Sequence, residues 1–159
     1  MNDQEKAEQL QFVEGVAQMY EAVGLPRIAG RILGWLLICD PPTQTASELA
    51  TALGASKGSI SSMTRLLMQF SLIERTSLPG DRRDYFYIRP EVWKAVVAKE
   101  LGSVGALRQL AERGLTLLAD APPATRARLE MMRDIYGFFE RELPALLERW
   151  EAHKREQNE

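Results

Sequence analysis

The stretch GASKGSISSMTRLLMQFSLIER, residues 54–75, decides how the rest of the chain is interpreted. Its apolar residues recur at helical spacing and predict a helix from a cap at Ser56 to about Phe70. We expect five residues to face inward: Ile60, Met63, Leu66, Leu67 and Phe70. The polar face carries small or basic residues and no acid: Ser56, Lys57, Ser59, Ser61, Ser62, Thr64 and Arg65. A solvated helix face mixes both signs of charge, so this one favours an anionic partner.

The residues before this helix predict a tight corner. Thr45-Ala-Ser-Glu48 is a capping-box pattern, in which Thr45 accepts from the amide of Glu48 and Glu48 reaches back to the amide of Thr45. The helix that it opens is short, to Leu53, because Gly54 supplies a left-handed turn. Helix, tight turn and helix together indicate a helix-turn-helix.

The residues after the helix predict a β-hairpin. Residues 72–76 and 85–89 are short segments rich in β-branched and aromatic residues, which is typical of strands. Between them SLPGDRRD has the composition of a turn and places Arg82 and Arg83 at its tip.

The flanking segments are predicted to be helical. Apolar spacing indicates helices over residues 3–23, 26–39, about 90–118 and 123 to the end. Gly102, Gly105 and Gly114 weaken the third by about 1 kcal/mol each relative to alanine, so a break there is one alternative. We therefore predict a mostly α fold: a winged helix-turn-helix core with a two-stranded hairpin wing, flanked by N- and C-terminal helices. The predicted regions are residues 1–25, 26–90 and 91–159.

Charge is unevenly distributed along the chain. The net charge is −2 overall, yet residues 56–94 carry seven basic and four acidic residues and residues 1–55 carry three and seven. The middle third is thus the only positive block, as expected of a local nucleic-acid interface. A single cysteine, Cys39, excludes an intrachain disulfide and fits a reducing cytoplasm. No signal peptide or run of about 18 apolar residues is present, so we expect a cytoplasmic protein without a membrane span.

Enzymatic and metal chemistry are disfavoured by the residue inventory. His153 is the only histidine and lies in a polar tail, so neither a nucleophilic triad nor a metal site can be assembled convincingly. No phosphate-binding Gly-x-x-x-x-Gly-Lys loop is present, and no cofactor is expected. Cys39 is either a small core residue or a redox sensor. Five aromatic residues are either core and interface residues or a cage for a quaternary amine: Tyr20, Trp35, Trp93, Phe138 and Phe139.

A helix with such a polar face suits the major groove of DNA. It can enter with its N-terminal residues leading, and its small hydroxyls permit close approach to phosphates or base edges. Lys57 and Arg65 add charge, and Arg82 and Arg83 would reach phosphates or the adjacent minor groove. The alternatives are that the helix face is merely solvated and that the tip is an ordinary turn, with Asp81 as a turn former.

The combination of these segments resembles a known family. ASELATALGASKGSISSMTRLLMQFSLIER followed by SLPGDRRDYFYI resembles the winged-helix core of MarR-type transcriptional regulators, and Asp81-Arg82-Arg83 matches that family's D-x-R wing motif. YEAVGLPRIAGRILGWLLICDPP is similar to the branch of the glycine-betaine synthesis repressor. The resemblance covers roughly residues 8–90. It implies a homodimeric regulator or repressor of a pseudo-palindromic operator, dimerised by its terminal helices, with effectors bound near their junction.

The resemblance also assigns roles to residues. Six fall on recognition-helix positions: Ser56, Lys57, Ser59, Ser61, Ser62 and Arg65. Asp81 and Arg83 fall on the wing pair, in which the family's aspartate shapes the wing and leaves the tip arginine for DNA. Ser62 replaces a frequent basic residue, and Ser71 replaces the usual glycine after the recognition helix.

Two alternatives of other classes remain open at this point. The first is a helical adaptor that keeps the fold and binds a protein partner through residues 95–159. The second is a ligand-binding dimer that has lost DNA binding, which would show a neutral or acidic face around the recognition helix.

Overall fold

The computed structural model describes residues 3–157, and the side chains in that range except those of residues 3, 100 and 101. Its elements are α1 (Asp3–Ala22), α2 (Arg27–Ile38), β1 (Gln44–Thr45), α3 (Ala46–Leu53), α4 (Lys57–Gln69), β2 (Glu74–Ser77), β3 (Asp84–Tyr87), α5 (Val92–Leu117) and α6 (Pro123–Gln157). The predicted fold class is confirmed, with the helices and the hairpin in the expected order. The chain divides into two compact units between Trp93 and Lys94.

The corner between α3 and α4 forms as its sequence predicts. Thr45 Oγ1 accepts from the amide of Glu48 at 3.2 Å, and the Glu48 carboxylate accepts from the amide of Thr45 at 2.7 Å. Gly54 ends α3 in the left-handed region at φ 59°, and Ser56 Oγ then accepts from the amide of Ser59 at 3.1 Å. These contacts satisfy backbone groups at both ends of α3 and at the start of α4, which fixes where α4 begins.

Helix α1 packs closely along α2, so the N-terminal helix belongs to the same compact unit as the winged helix-turn-helix. Gly30 and Gly34 of α2 lie against the α1 backbone, where a side chain at Gly30 would place its Cβ 2.6 Å from Ala17 Cα. A Cβ at Gly34 would lie 3.0 Å from Val13 Cα. The two helices can approach this closely only because α2 presents glycine at both positions.

A single apolar core holds the first unit together. Every helix of the unit contributes fully or nearly fully buried side chains to it, as do the hairpin and its flanks: Val13, Ala17, Ala29, Ile32, Leu33, Leu36, Leu49, Leu53, Ile60, Leu67, Leu72, Ile73, Tyr85, Phe86 and Val92. Fully burying one such aliphatic side chain contributes about 1.5–3 kcal/mol relative to leaving it exposed. This core orients α4 and the hairpin relative to each other.

The sheet has three antiparallel strands in the order β1-β3-β2, one more than predicted. The additional strand is the two-residue β1, which pairs Thr45 with Tyr85 and Gln44 with Phe86. The predicted hairpin is confirmed, with Thr76 opposite Tyr85 and Ser77 opposite Asp84. A two-residue strand has no periodic pattern, so its pairing is set by tertiary contact.

Two details of the predicted recognition helix are wrong. Thr64 is buried, not part of the polar face, and its hydroxyl donates to the carbonyl of Ile60 at 2.9 Å. Phe70, predicted to face inward, is exposed. Ser71 adopts φ 57° without being glycine, so the left-handed turn after α4 is retained despite the substitution.

The second unit is an antiparallel pair of helices. Along α5 and α6, Lys94 Nζ pairs with Glu151 Oε1 at 2.5 Å and Arg108 pairs with Glu140, while Gly114 lies against Leu129. Within the described residues α5 continues through its glycines without a break and α6 continues through Pro144, so this region forms two helices. Helix α5 begins at Val92, two residues after the predicted Pro90.

In the described range, no helix combines the length and the apolar character needed to cross a membrane.

The close contact of α1 with α2 predicts that Gly30→Ala destabilises the protein. The added methyl group meets backbone, which cannot rotate away, so we expect the free energy of unfolding to fall by about 1–3 kcal/mol. Urea unfolding followed by circular dichroism measures this. Gly15→Ala in α1 is the control, because open space surrounds it and alanine favours a helix by up to about 1 kcal/mol. Equal changes in the two variants would contradict the steric account.

Candidate nucleic-acid interface

The exposed face of α4 carries two basic side chains and small hydroxyl side chains. Lys57, Ser61, Ser62 and Arg65 are exposed, and no acidic residue lies anywhere in α4. Arg65 Nε donates to the carbonyl of Ser61 at 3.2 Å, which holds the guanidinium along the helix surface. Of the residues predicted for this face, Ser59 is only half-exposed. The cap residue Ser56 is exposed, although its hydroxyl oxygen accepts the amide of Ser59.

The wing is shaped by a cluster of three side chains. Asp81 Oδ2 accepts from Arg83 Nη2 at 2.6 Å and from the Tyr85 hydroxyl at 2.7 Å. Asp81 Oδ1 accepts from the Arg83 amide at 2.9 Å. Arg83 also donates to the Tyr85 hydroxyl at 2.8 Å and lies over its ring. Charged and bidentate hydrogen bonds of this kind are among the strongest in proteins, so the cluster fixes the turn.

Arg82 and Arg83 differ although they are adjacent. Arg83 is held by Asp81 and Tyr85, whereas Arg82 is exposed and has no hydrogen bond or ion pair within the part of the chain that the structure describes. Gly80, at φ 80°, provides the bend that precedes the pair. Arg82 is therefore the wing cation that is available to another molecule.

A groove of about 400 Å³ lies between the start of α3, the second half of α4 and the wing. Its lining combines three arginines with small polar and apolar side chains: Thr45, Ala46, Ser47, Ser61, Thr64, Arg65, Met68, Arg75, Arg83, Asp84 and Phe86. The sequence pattern predicted Arg65 and Arg83 as site residues but gave no indication of Arg75. Arg75 lies on β2 opposite Phe86, and only the strand register places it at this groove.

Electrostatic effects keep the cluster and the corner charged. Hydrogen bonds from the Arg83 side chain, then from its amide, hold the pKa of the Asp81 carboxyl well below its usual range. The same hydrogen bond raises the pKa of Arg83. Hydrogen bonds from the amide and hydroxyl of Thr45 lower the pKa of Glu48. The carboxylates of Asp81 and Glu48 are thus already engaged by donors of the protein.

The other candidate residues have ordinary structural environments. Cys39 is half-buried just beyond α2, and burial raises the pKa of its thiol to about 11, so it is protonated near neutral pH. Trp35 Nε1 donates to Gln44 Oε1 at 3.4 Å, and Phe138 and Phe139 contact each other edge to face. Across residues 3–157, the described side chains include no group of three or more potential metal ligands.

The wing cluster predicts an unusual pH response for Asp81. The pKa of its carboxyl is lower in the folded than in the unfolded state. The ionised carboxylate therefore stabilises the folded state fully above about pH 4, the usual aspartate value. That contribution is lost only as pH falls through the lower folded-state pKa. We expect the Arg83 Nε–H resonance to stay protected from exchange through the pH range in which exposed aspartates titrate. In Asp81→Asn the same resonance should exchange faster than in the wild-type protein at each pH, and equal exchange rates would contradict the assignment.

Comparison with known proteins matches both parts of the chain. A MarR family model matches residues 23–84, and a model described as MmpR5-like MarR family transcriptional regulator matches residues 91–153. The HTH-type transcriptional regulator MmpR5 of Mycobacterium tuberculosis (strain ATCC 25618 / H37Rv) is 47% identical over 131 residues, which are 82% of this chain and 79% of that protein. The putative HTH-type transcriptional regulator YvaV of Bacillus subtilis (strain 168) is 29% identical over 54% of this chain and 48% of its own.

The fold is likewise matched by a solved structure. A crystal structure described as a transcriptional regulator superimposes with a TM-score of 0.75 and 43% identity, covering 91% of this chain and 99% of that one. The narrower resemblance to the glycine-betaine synthesis repressor is not confirmed by these matches. With a winged helix-turn-helix, a basic exposed face on α4 and this degree of likeness to MmpR5, the chain belongs to the MarR family of DNA-binding transcriptional regulators.

Proposed function

We propose that the protein is a homodimeric repressor that binds a pseudo-palindromic operator through α4 and the wing. The observation that carries the proposal is the acid-free exposed face of α4 beside a wing whose Asp81–Arg83 pair leaves Arg82 unengaged. Helix α4 enters the major groove, and its side chains approach base edges and phosphates. The wing reaches the adjacent phosphates or minor groove.

The predicted recognition-helix residues have different roles, according to their charge and their position along α4. Lys57 and Arg65 supply charge, and Ser61 and Ser62 offer hydroxyls at close range. Ser56 and Ser59 lie at the start of the helix, where the first-turn amides favour a phosphate. In the wing, Arg82 makes the main contact with DNA, while Arg83 acts chiefly with Asp81 to hold the turn. Phosphate contacts provide affinity and register, and base contacts provide sequence choice.

A second copy of the chain accounts for the apolar surface of the second unit. Many large apolar side chains of α5 and α6 are exposed, among them Leu110, Leu117, Met131, Ile135, Phe138, Leu146 and Trp150. Exposed apolar patches of this kind mark interaction sites. In a two-fold dimer, the recognition helices would lie about 34 Å apart, one turn of DNA.

A helical adaptor is the alternative, because the same apolar helices could hold a different protein. If a homodimer buries these helices, no apolar surface remains for a different protein partner. Measuring the oligomeric state therefore distinguishes the two functions. Response to a small-molecule effector and membership of the glycine-betaine synthesis repressor branch are parts of the proposal that rest on the resemblance. A cytoplasmic location is a further part, supported by the single cysteine, which fits a reducing compartment. An effector would have to bind the DNA-competent and DNA-incompetent dimers with different affinity.

Anisotropy titration against labelled promoter fragments tests the proposed function. The fragments begin with the region upstream of the protein's own gene, and each is titrated at two salt concentrations. Tight binding to one fragment, weakened steeply by salt, is the expected result. Equal and weak binding to every fragment would contradict a sequence-reading regulator and favour the adaptor.

The charge on α4 predicts a strong effect of Lys57→Ala combined with Arg65→Ala. Both side chains are exposed, so the fold should tolerate their loss. We expect the salt slope of operator binding to fall by about one for each lost phosphate contact per protomer. Arg149→Ala, an exposed arginine of α6, is the control for loss of positive charge. An identical slope in the double variant and the control would remove α4 from the interface.

The apolar face of α5 predicts that Leu117→Glu disrupts the homodimer. Leu117 is 86% exposed in the single chain, so the substitution buries no charge unless a partner covers it. Burying an unpaired carboxylate is costly, and we expect sedimentation equilibrium to show a dimer dissociation constant raised at least tenfold. Gln109→Glu is the matched control, an exposed polar position of the same helix. A dimer unaffected by Leu117→Glu would exclude this part of the face from the interface.

A further inference from the structure

Arg75 and Asp84 form an ion pair across the hairpin, at the mouth of the groove between α3, α4 and the wing. Arg75 Nη1 lies 3.2 Å from Asp84 Oδ2, with the side chains 57% and 50% exposed. The strand register brings them together diagonally, since Arg75 is opposite Phe86 and Ser77 is opposite Asp84. Both side chains line the groove. An ion pair this exposed contributes little to stability, so a stronger anion can replace the carboxylate.

The groove has the charge and shape for one anionic group of a larger molecule. Arg65, Arg75 and Arg83 line it, and Asp84 is the one carboxylate among its lining residues. The hydroxyl residues Ser47 and Ser61 line it as well, the first of them in the opening turn of α3. Arginine guanidinium groups bind phosphate oxygens in a bidentate manner, which a lysine cannot reproduce.

We propose that this groove binds a backbone phosphate of the operator DNA, and that Arg75 exchanges the carboxylate of Asp84 for that phosphate. The inference rests on the proposed function, because it places a further DNA contact beside the recognition helix. Arg75 is then the anchoring residue. Asp84 holds the guanidinium at the groove in the free protein and competes with the phosphate for it.

Because Asp84 and the phosphate compete for Arg75, substitutions of Arg75 and Asp84 should change operator affinity in opposite directions. Removing Arg75 deletes a charged hydrogen bond to phosphate and one released counterion per protomer. Removing the charge of Asp84 frees Arg75 and makes the groove more positive. A purely structural ion pair would make both substitutions alike, because either one breaks the pair.

Arg75→Gln and Arg89→Gln form a matched pair for the test. Arg89 also makes an exposed cross-strand ion pair, with Glu74 at 2.7 Å, and its side chain is 55% exposed. It is not among the residues that line the groove. We expect Arg75→Gln to weaken operator binding about tenfold and to lower the salt slope by about one per protomer. Arg89→Gln should change both much less, and circular dichroism should show both variants folded.

Asp84→Asn tests the opposite change in operator affinity. We expect it to tighten operator binding about two- to fivefold at low salt, since an ion pair this exposed competes only weakly with a phosphate for Arg75. Equal effects of Arg75→Gln and Arg89→Gln, or weaker binding by Asp84→Asn, would overturn the phosphate site. The wild-type protein provides the separate check on the proposed function: if it shows no preferred, salt-dependent fragment, DNA recognition itself fails, whatever the variants do.

Discussion

The arrangement depends most on Thr45, where three parts of the structure meet. Its side chain caps α3 in a reciprocal box with Glu48, and its backbone pairs with Tyr85 of the sheet. Tyr85 in turn donates its hydroxyl to Asp81, which holds Arg83. A continuous series of hydrogen bonds therefore runs from the start of α3 to the tip of the wing. These contacts are strand pairing or charged hydrogen bonds, so they hold the wing in a fixed position relative to the corner between α3 and α4.

An acidic chain can present a basic surface because its acids are elsewhere or already paired. The overall charge is −2, yet α4 carries no acid. Near it, Glu48 accepts from Thr45 and Asp81 accepts from Arg83 and Tyr85. These carboxylates fix the backbone that displays the cations. The electrostatic field at the surface of α4 is set by this local arrangement, since exposed charges more than about 10 Å away are largely screened at 0.1 M salt.

The two units place different demands on the sequence. The first buries a contiguous core, and its helices approach so closely that Gly30 and Gly34 are needed at the α1–α2 contact. The second consists of two long helices with many exposed apolar side chains and few buried ones. A helix pair cannot cover its own apolar surface as a multilayered core can. The second unit therefore has the character of half of an interface, which fits the proposed dimer.

Local chemistry in the sequence determined the corner, the caps and the hairpin. Thr45, Gly54 and Ser56 act on backbone groups within a few residues, and such effects are visible in a single segment. Tertiary structure decided what depends on distant partners. It buried Thr64, left Phe70 exposed, added β1 to the sheet and set Arg75 at the groove. Helical periodicity predicts which residues share a face, but not how much of that face other elements bury. Strand register brings together residues from separate segments, so these features depend on the folded chain.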